Sequence, residues 1–116
     1  MTIKKVKVFA KILKDFNPIH LDKKYALSSR YRSQIIHWLM TASLFSGLFG
    51  SKLSSEGCVY KSQNICFKTA IYVNDIITAR AEVTLVNLKK KIIEFRTYCF
   101  ADNKAVIDGE TETSIH

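Results

Sequence analysis

Two hydrophobic periods divide the chain. From Thr2 to about Leu13, apolar Ile3, Val6, Phe9, Ala10 and Leu13 recur at steps of three and four, the spacing of an amphipathic helix. A second, shorter helix is predicted over "LDKKYALSS", with Asp22 in an N-cap position. From about Gln34 to Leu53 the residues are apolar almost all round, which predicts a long helix that protein must cover on most sides. After Gly57 the period falls towards two. "CVYKSQNICFKTAIYV", "IITARAEVTLVNL", "KKIIEFRTYCFA" and "AVIDGETETSI" are rich in β-branched and aromatic residues. Turn signals at Asn74-Asp75, Asn87 to Lys90 and Asp102-Asn103 separate them, so four antiparallel strands are expected. One long apolar helix followed by a run of strands predicts an α+β domain, an antiparallel β-sheet wrapped around a long central helix.

Composition narrows the class. The 116 residues suit a single domain, and 47% hydrophobic content with one proline argues against disorder. A chain this small gains burial from a partner subunit, so a homodimer is expected. Cys58, Cys66 and Cys99 are odd in number and lack CxxC spacing, which predicts buried thiols in a reducing cytoplasm and no disulfide or zinc framework. The 18 basic against 10 acidic residues give a net charge of +8 and favour anionic partners. Lys4-Lys5-Lys7, Lys23-Lys24 and Lys89-Lys90-Lys91 lack interleaved exposed aromatics and read as solvated faces, so no nucleic-acid partner is expected. The uncharged run "SQIIHWLMTASLFSGLFGS" is long enough for a membrane span, but Gln34, His37, Thr41, Ser43 and Ser46 interrupt it. A helix buried in protein is expected there and no membrane association, and the lysine-rich N-terminus does not resemble a secretory signal.

The candidate chemistry lies in "KDFNPIH". Asp15 and His20 are five residues apart, about 140° around a helix and on opposite faces of a strand, so neither regular structure lets them meet. Pro18 lacks an N–H and biases Asn17 away from the helical region, while Asn turns the chain readily. The two titratable groups therefore converge only across a turn. Read from the residues alone, Asp15 could equally close a helix end, His20 lie in an exposed loop and His37 be a satisfied core histidine.

"FAKILKDFNPIHLDKKYA" resembles the hydratase signature of the R-specific enoyl-CoA hydratases, or MaoC-like dehydratases, a branch of the hot-dog superfamily. "IIHWLMTASLFSGLFG" resembles that family's central-helix opening, and "FKTAIYVNDIITARAEV" its later Phe-Lys and Val-Gly-Asp pattern. The likeness runs from about Phe9 to Glu110 and implies one MaoC-like hot-dog domain over residues 1–116. It implies reversible syn hydration of a trans-2-enoyl-CoA to an R-3-hydroxyacyl-CoA, a lyase reaction of fatty-acid metabolism. Asp15 matches the general base on water, His20 the donor of a proton to the α-carbon, and Ser46 a helix serine that orients the aspartate. The Trp38 backbone N–H matches the donor to the thioester oxygen, and His37 precedes it as a substrate-binding residue. No metal or separate cofactor is implied, because CoA or acyl carrier protein belongs to the substrate; Arg80, Lys68 and Lys89 to Lys91 are candidates for its phosphates.

Three features depart from the family pattern. Trp38 replaces a glycine that lets the thioester approach, Leu13-Lys14 replaces the commoner Ser-Gly before the aspartate, and the family's first strand upstream of the helix is not evident. Two alternatives follow. One is a catalytically impaired subunit that binds acyl-thioesters or serves assembly; the other is an acyl-CoA thioesterase.

Overall fold

The computed structural model describes residues 1–52 and 58–115. Helix α1 spans Ile3–Leu13 and buries Val6 and Ala10, with Thr2 accepting from the Lys5 N–H as its N-cap. It ends where Lys14 takes a left-handed conformation (φ 58°) and the Asp15 N–H returns to the Ala10 carbonyl at 3.1 Å. That six-to-one bond is the Schellman ending, whose left-handed position glycine usually fills. Short helices α2 (Pro18–Leu21) and α3 (Lys23–Ser28) follow, capped by the Asn17 and Asp22 side chains.

The long helix expected from Gln34 starts later and is broken. Residues 34 to 36 are extended instead, because Ile36 N–H donates to Ile71 (2.8 Å) and Val73 N–H to Gln34 (3.1 Å), with a bridge between Ile35 and Tyr72. Helix α4 covers Trp38–Ala42 and α5 covers Leu44–Gly47, and a π-helical turn covers Leu48–Lys52. The break falls where the Ser43 hydroxyl binds the Met40 carbonyl at 2.5 Å. A side chain that takes a carbonyl inside a helix loosens it locally, and Gly47 and Gly50 add no side chain to restore regularity. Leu53, the expected helix end, lies outside the described residues.

The four expected strands are present as β1 (Cys58–Phe67), β2 (Ile77–Asn87), β3 (Ile92–Ala101) and β4 (Lys104–Ile115). All pairs are antiparallel, in the order β1-β4-β3-β2. The first strand stops six residues short of the expected "AIYV" end, since 71–73 pair with 34–36. Residues of the broken helix fill the sheet's buried face: Met40, Phe45 and Phe49 form one cluster with Phe95, Cys99, Val106 and Ile107. Phe49 lies 4.8 Å from Phe95, ring to ring. At Gly109 the Asn64 carbonyl of β1 passes so close that no larger residue fits. Among the thiols, Cys99 is buried and its pKa is pushed up to about 11 by burial, whereas Cys66 is exposed, against expectation. The Cys58 side chain is outside the described residues.

Candidate active site

The chain ending of α1 and the start of α2 bring the signature residues together. After Lys14 the Asp15 carboxylate accepts the Asn17 N–H at 3.2 Å, and the Asn17 side chain accepts the Ile19 N–H at 3.2 Å. Two consecutive side-chain caps thus reverse the chain, and Pro18 occupies the first helical position, where its missing N–H costs nothing. The expected turn is therefore a helix end followed at once by a helix start.

His20, 8% exposed, projects from α2 and its Nδ1–H donates to the Ile35 carbonyl at 2.7 Å. A carbonyl can only accept, so this bond commits Nδ1 as the donor and leaves Nε2 of the neutral ring with a free lone pair. Burial lowers the His20 pKa from its ordinary value; the Ile35 bond opposes this, neighbouring His37 reinforces it, and Asp15 opposes it. Gln34 steadies the same segment by donating to the His20 carbonyl at 2.9 Å.

His37 is the N-cap of α4, 4% exposed. Its ring stacks on His20 with centroids 3.8 Å apart, and Nε2 lies 3.1 Å from the Asp15 carbonyl and 3.8 Å from its carboxylate. It braces the Asp15 turn against the start of α4, while its Nδ1 is buried without a hydrogen-bond partner among the described residues. One carboxylate oxygen of Asp15 and one nitrogen of each histidine lie within 4.8 Å of one another. A water bonded to two acceptors at about 2.8 Å separates them by about 4.5 Å, so this spacing suits one bridging water. It suits a metal poorly. Rings stacked at 28° with centroids 3.8 Å apart hold their lone pairs in two nearly parallel planes, which do not readily meet at the roughly 2.0–2.1 Å from each nitrogen that zinc requires.

These residues line a cleft of about 440 Å³ with Trp38, Leu39, Tyr31 and Phe67. Trp38 begins α4, and its backbone N–H makes no hydrogen bond among the described residues, as the first turn of a helix leaves it. Its indole leans on Phe67 with centroids 5.1 Å apart. The helix dipole expected behind that N–H is that of a five-residue segment, weaker than an unbroken helix would give. Ser46 lies beyond the break at Ser43, exposed on α5, and does not line the cleft; no hydrogen bond joins it to Asp15 among the described residues. The Asn17 N–H orients that carboxylate instead. Arg80, Lys68 and Lys89 to Lys91 do not line the cleft either. Tyr31, whose hydroxyl accepts from Arg30 at 3.0 Å, and the Ile35 carbonyl were not foreseen: a backbone acceptor leaves no mark in sequence, and Tyr31 sits in an irregular stretch.

The family model described as MaoC like domain matches residues 1–105. The chain belongs to the MaoC-like family. It is 39% identical over 106 residues to an (R)-specific enoyl-CoA hydratase of Aeromonas caviae, covering 90% of this chain and 79% of the relative. To an enzyme of the same name from Rhodospirillum rubrum it is 32% identical over 108 residues, covering 93% and 75%. The solved (R)-hydratase from A. caviae involved in PHA biosynthesis superposes with a TM-score of 0.96 at 34% identity, over 100% of this chain and 89% of that one. The fold of this MaoC-like chain is accordingly the hot-dog fold, its sheet curled around the broken central helix.

Proposed function

We propose that this MaoC-like chain is a hydro-lyase that adds water reversibly and with syn geometry to a trans-2-enoyl-CoA, giving an R-3-hydroxyacyl-CoA. The observation that carries this reading is the juxtaposition of Asp15 and His20 at the spacing of one shared water, beside the unbonded N–H of Trp38. The water gives one hydrogen to the Asp15 carboxylate and the other to Nε2 of neutral His20. Its oxygen bonds to the β-carbon as its proton passes to Nε2, and the electron pair of the double bond moves to the α-carbon and thioester oxygen. The Trp38 N–H supports that oxygen. The imidazolium, held by the Asp15 charge, then returns its proton to the α-carbon on the same face, and atoms and charge balance.

This division differs from the one the signature implies, in which Asp15 takes the water's proton. It is favoured because the Ile35 carbonyl fixes Nδ1 as donor and burial keeps the free ring neutral. Asp15, its side chain 50% exposed, is left to orient and to balance charge. A homodimer completes the proposal. Edge strand β2 and its following turn expose Val83, Val86 and Leu88, an apolar row on an unpaired sheet edge that a second copy would cover. Among the described residues no helix is long and apolar enough to cross a membrane, and an exposed free Cys66 fits the reducing cytoplasm we assign.

A second reading, acyl-thioester binding without turnover, is favoured by the Trp38 indole against Phe67 inside the cleft. Loss of the enoyl absorbance of crotonyl-CoA separates the two. Hydration abolished by Asp15→Asn and by His20→Gln, with unchanged far-UV spectra, supports the lyase; binding with no absorbance change in the unaltered protein supports the second reading.

A further inference from the structure

The cleft that holds Asp15 and His20 has no cation of its own for a nucleotide. Among its lining residues Asp15 is the only carboxylate, and none is a lysine or an arginine. Two of the chain's arginines are engaged on the sheet, Arg96 with Asp108 and Arg80 over the Phe100 ring, away from the cleft. The other two, Arg30 and Arg32, flank Tyr31, which does line it. Tyr31 is half-buried between these two exposed neighbours, so the three residues form part of the cleft's rim.

This rim is built rather than loose. The Tyr31 N–H donates to the Ser29 hydroxyl oxygen at 3.2 Å, the Arg32 N–H to the Ser29 carbonyl at 3.2 Å, and the Tyr72 hydroxyl to the Tyr31 carbonyl at 3.1 Å. Those bonds hold Arg32 in a left-handed conformation (φ 62°) that side chains other than glycine seldom adopt. Backbone strain maintained by surrounding bonds beside a cleft is a mark of a positioned group. Arg30 is positioned too: its guanidinium lies 4.9 Å from the Tyr31 ring centre, and Nη2 donates to the Tyr31 hydroxyl at 3.0 Å. That bond leaves most of the donor fork free. Neither guanidinium has an ion-pair partner among the described residues.

We propose that Arg30 and Arg32 are specificity-determining residues that receive the nucleotide phosphates of CoA, so that the chain selects CoA esters over thioesters that lack the nucleotide. The inference rests on the thioester reading of the cleft. Electrostatics gives the bound substrate its direction: the Asp15 carboxylate repels phosphate from the reacting end, while two unpaired forks attract it at the Tyr31 end. Arginine suits the task because its planar donors meet a phosphate in pairs.

The test compares the unaltered protein with the double variant Arg30→Gln/Arg32→Asn, asparagine being chosen because it tolerates the left-handed position. Melting checks the fold. The readouts are the ratio of kcat/KM for crotonyl-CoA to that for crotonyl-pantetheine, and calorimetric affinity for CoA and for pantetheine. The unaltered protein should favour the CoA ester, and the variant should lose about tenfold of that preference, through KM with kcat kept. CoA affinity should weaken by a similar factor and lose most of its salt dependence. A ratio near one in the unaltered protein overturns the proposal, and so does a ratio the variant leaves unchanged, including one in which both esters lose equally. Displacement of CoA by inorganic phosphate at CoA's own concentration overturns it as well, since the rim would then be a general anion site. Affinity needs no turnover: CoA binding weakened in the variant while neither ester is hydrated keeps the phosphate site and removes the hydratase reading.

Discussion

Replacing Trp38 with alanine separates the packing role of the indole from its effect on the passage for substrate. A buried tryptophan covers about 150–250 Å². Trp38 is half-buried, so roughly 100 Å² of apolar contact is lost, about 2.5 kcal/mol at about 25 cal/mol per Å². The ring contact with Phe67 adds about 0.5–1 kcal/mol. Alanine's better helix propensity offsets a few tenths of this. The net, about 2–3 kcal/mol, lowers the melting temperature by roughly 10 °C for a domain of this size. The backbone N–H remains, so the proposed oxyanion contact survives while the cleft beside Phe67 opens. Each further methylene that finds room is worth about 0.8 kcal/mol, close to fourfold in KM. Measured on trans-2-enoyl-CoA substrates of four, six and eight carbons, the variant should show KM falling steeply with chain length where the unaltered protein levels off or rejects the longer chains. A folded variant with an unchanged chain-length profile refutes the role of the indole in limiting the passage.

Other outcomes follow from the same geometry. The lowered His20 pKa means that above about pH 6.5 the ring is neutral in both folded and unfolded states, whereas below it the unfolded chain takes up a proton the fold resists. Stability should therefore fall as pH drops below about 6.5, down to the folded pKa, and His20→Gln should flatten that loss in urea titrations; an identical pH dependence would contradict the assignment. The kcat/KM of hydration should fall at lower pH, through the lowered folded His20 pKa itself, where the stability loss levels off. His37→Phe keeps the ring stack and removes the bond to the Asp15 carbonyl, so kcat should fall about tenfold or more with KM little changed, while unaltered kinetics would remove the brace from the account. Gly109→Ala would set a Cβ 2.0 Å from the Asn64 carbonyl oxygen in β1, so the strands must part; a destabilisation of about 3 kcal/mol or more is expected, and a melting point within a few degrees of the parent would show the approach to be looser.

Much of the fold was legible because period carries it. The three-and-four spacing of Ile3, Val6 and Ala10 and the β-branched strands each coincide with an observed element. The central helix misled because hydrophobicity cannot distinguish a continuous helix from one interrupted at Ser43, nor an extended Ile35-Ile36 from a helical start. Both deviations come from hydrogen bonds, to Met40 and to Ile71, that leave the apolar pattern unchanged. At the site, the Asp15 and His20 pair was legible from the turn residues Asn17 and Pro18. The tautomer of His20 was not, since it depends on a carbonyl fifteen residues away. Ser46 was placed by its match to the family's helix serine, and on α5, beyond the break at Ser43, it is exposed and away from the cleft.

The most direct measurement is the stereochemistry of hydration of crotonyl-CoA in D2O, read from the vicinal proton coupling of the product by NMR. A water held between Asp15 and His20 and a proton returned by that same imidazole predict one diastereomer, R at the hydroxyl carbon, with deuterium at the α-carbon on the same face as the oxygen. Anti addition, or a mixture of the two faces, would contradict it.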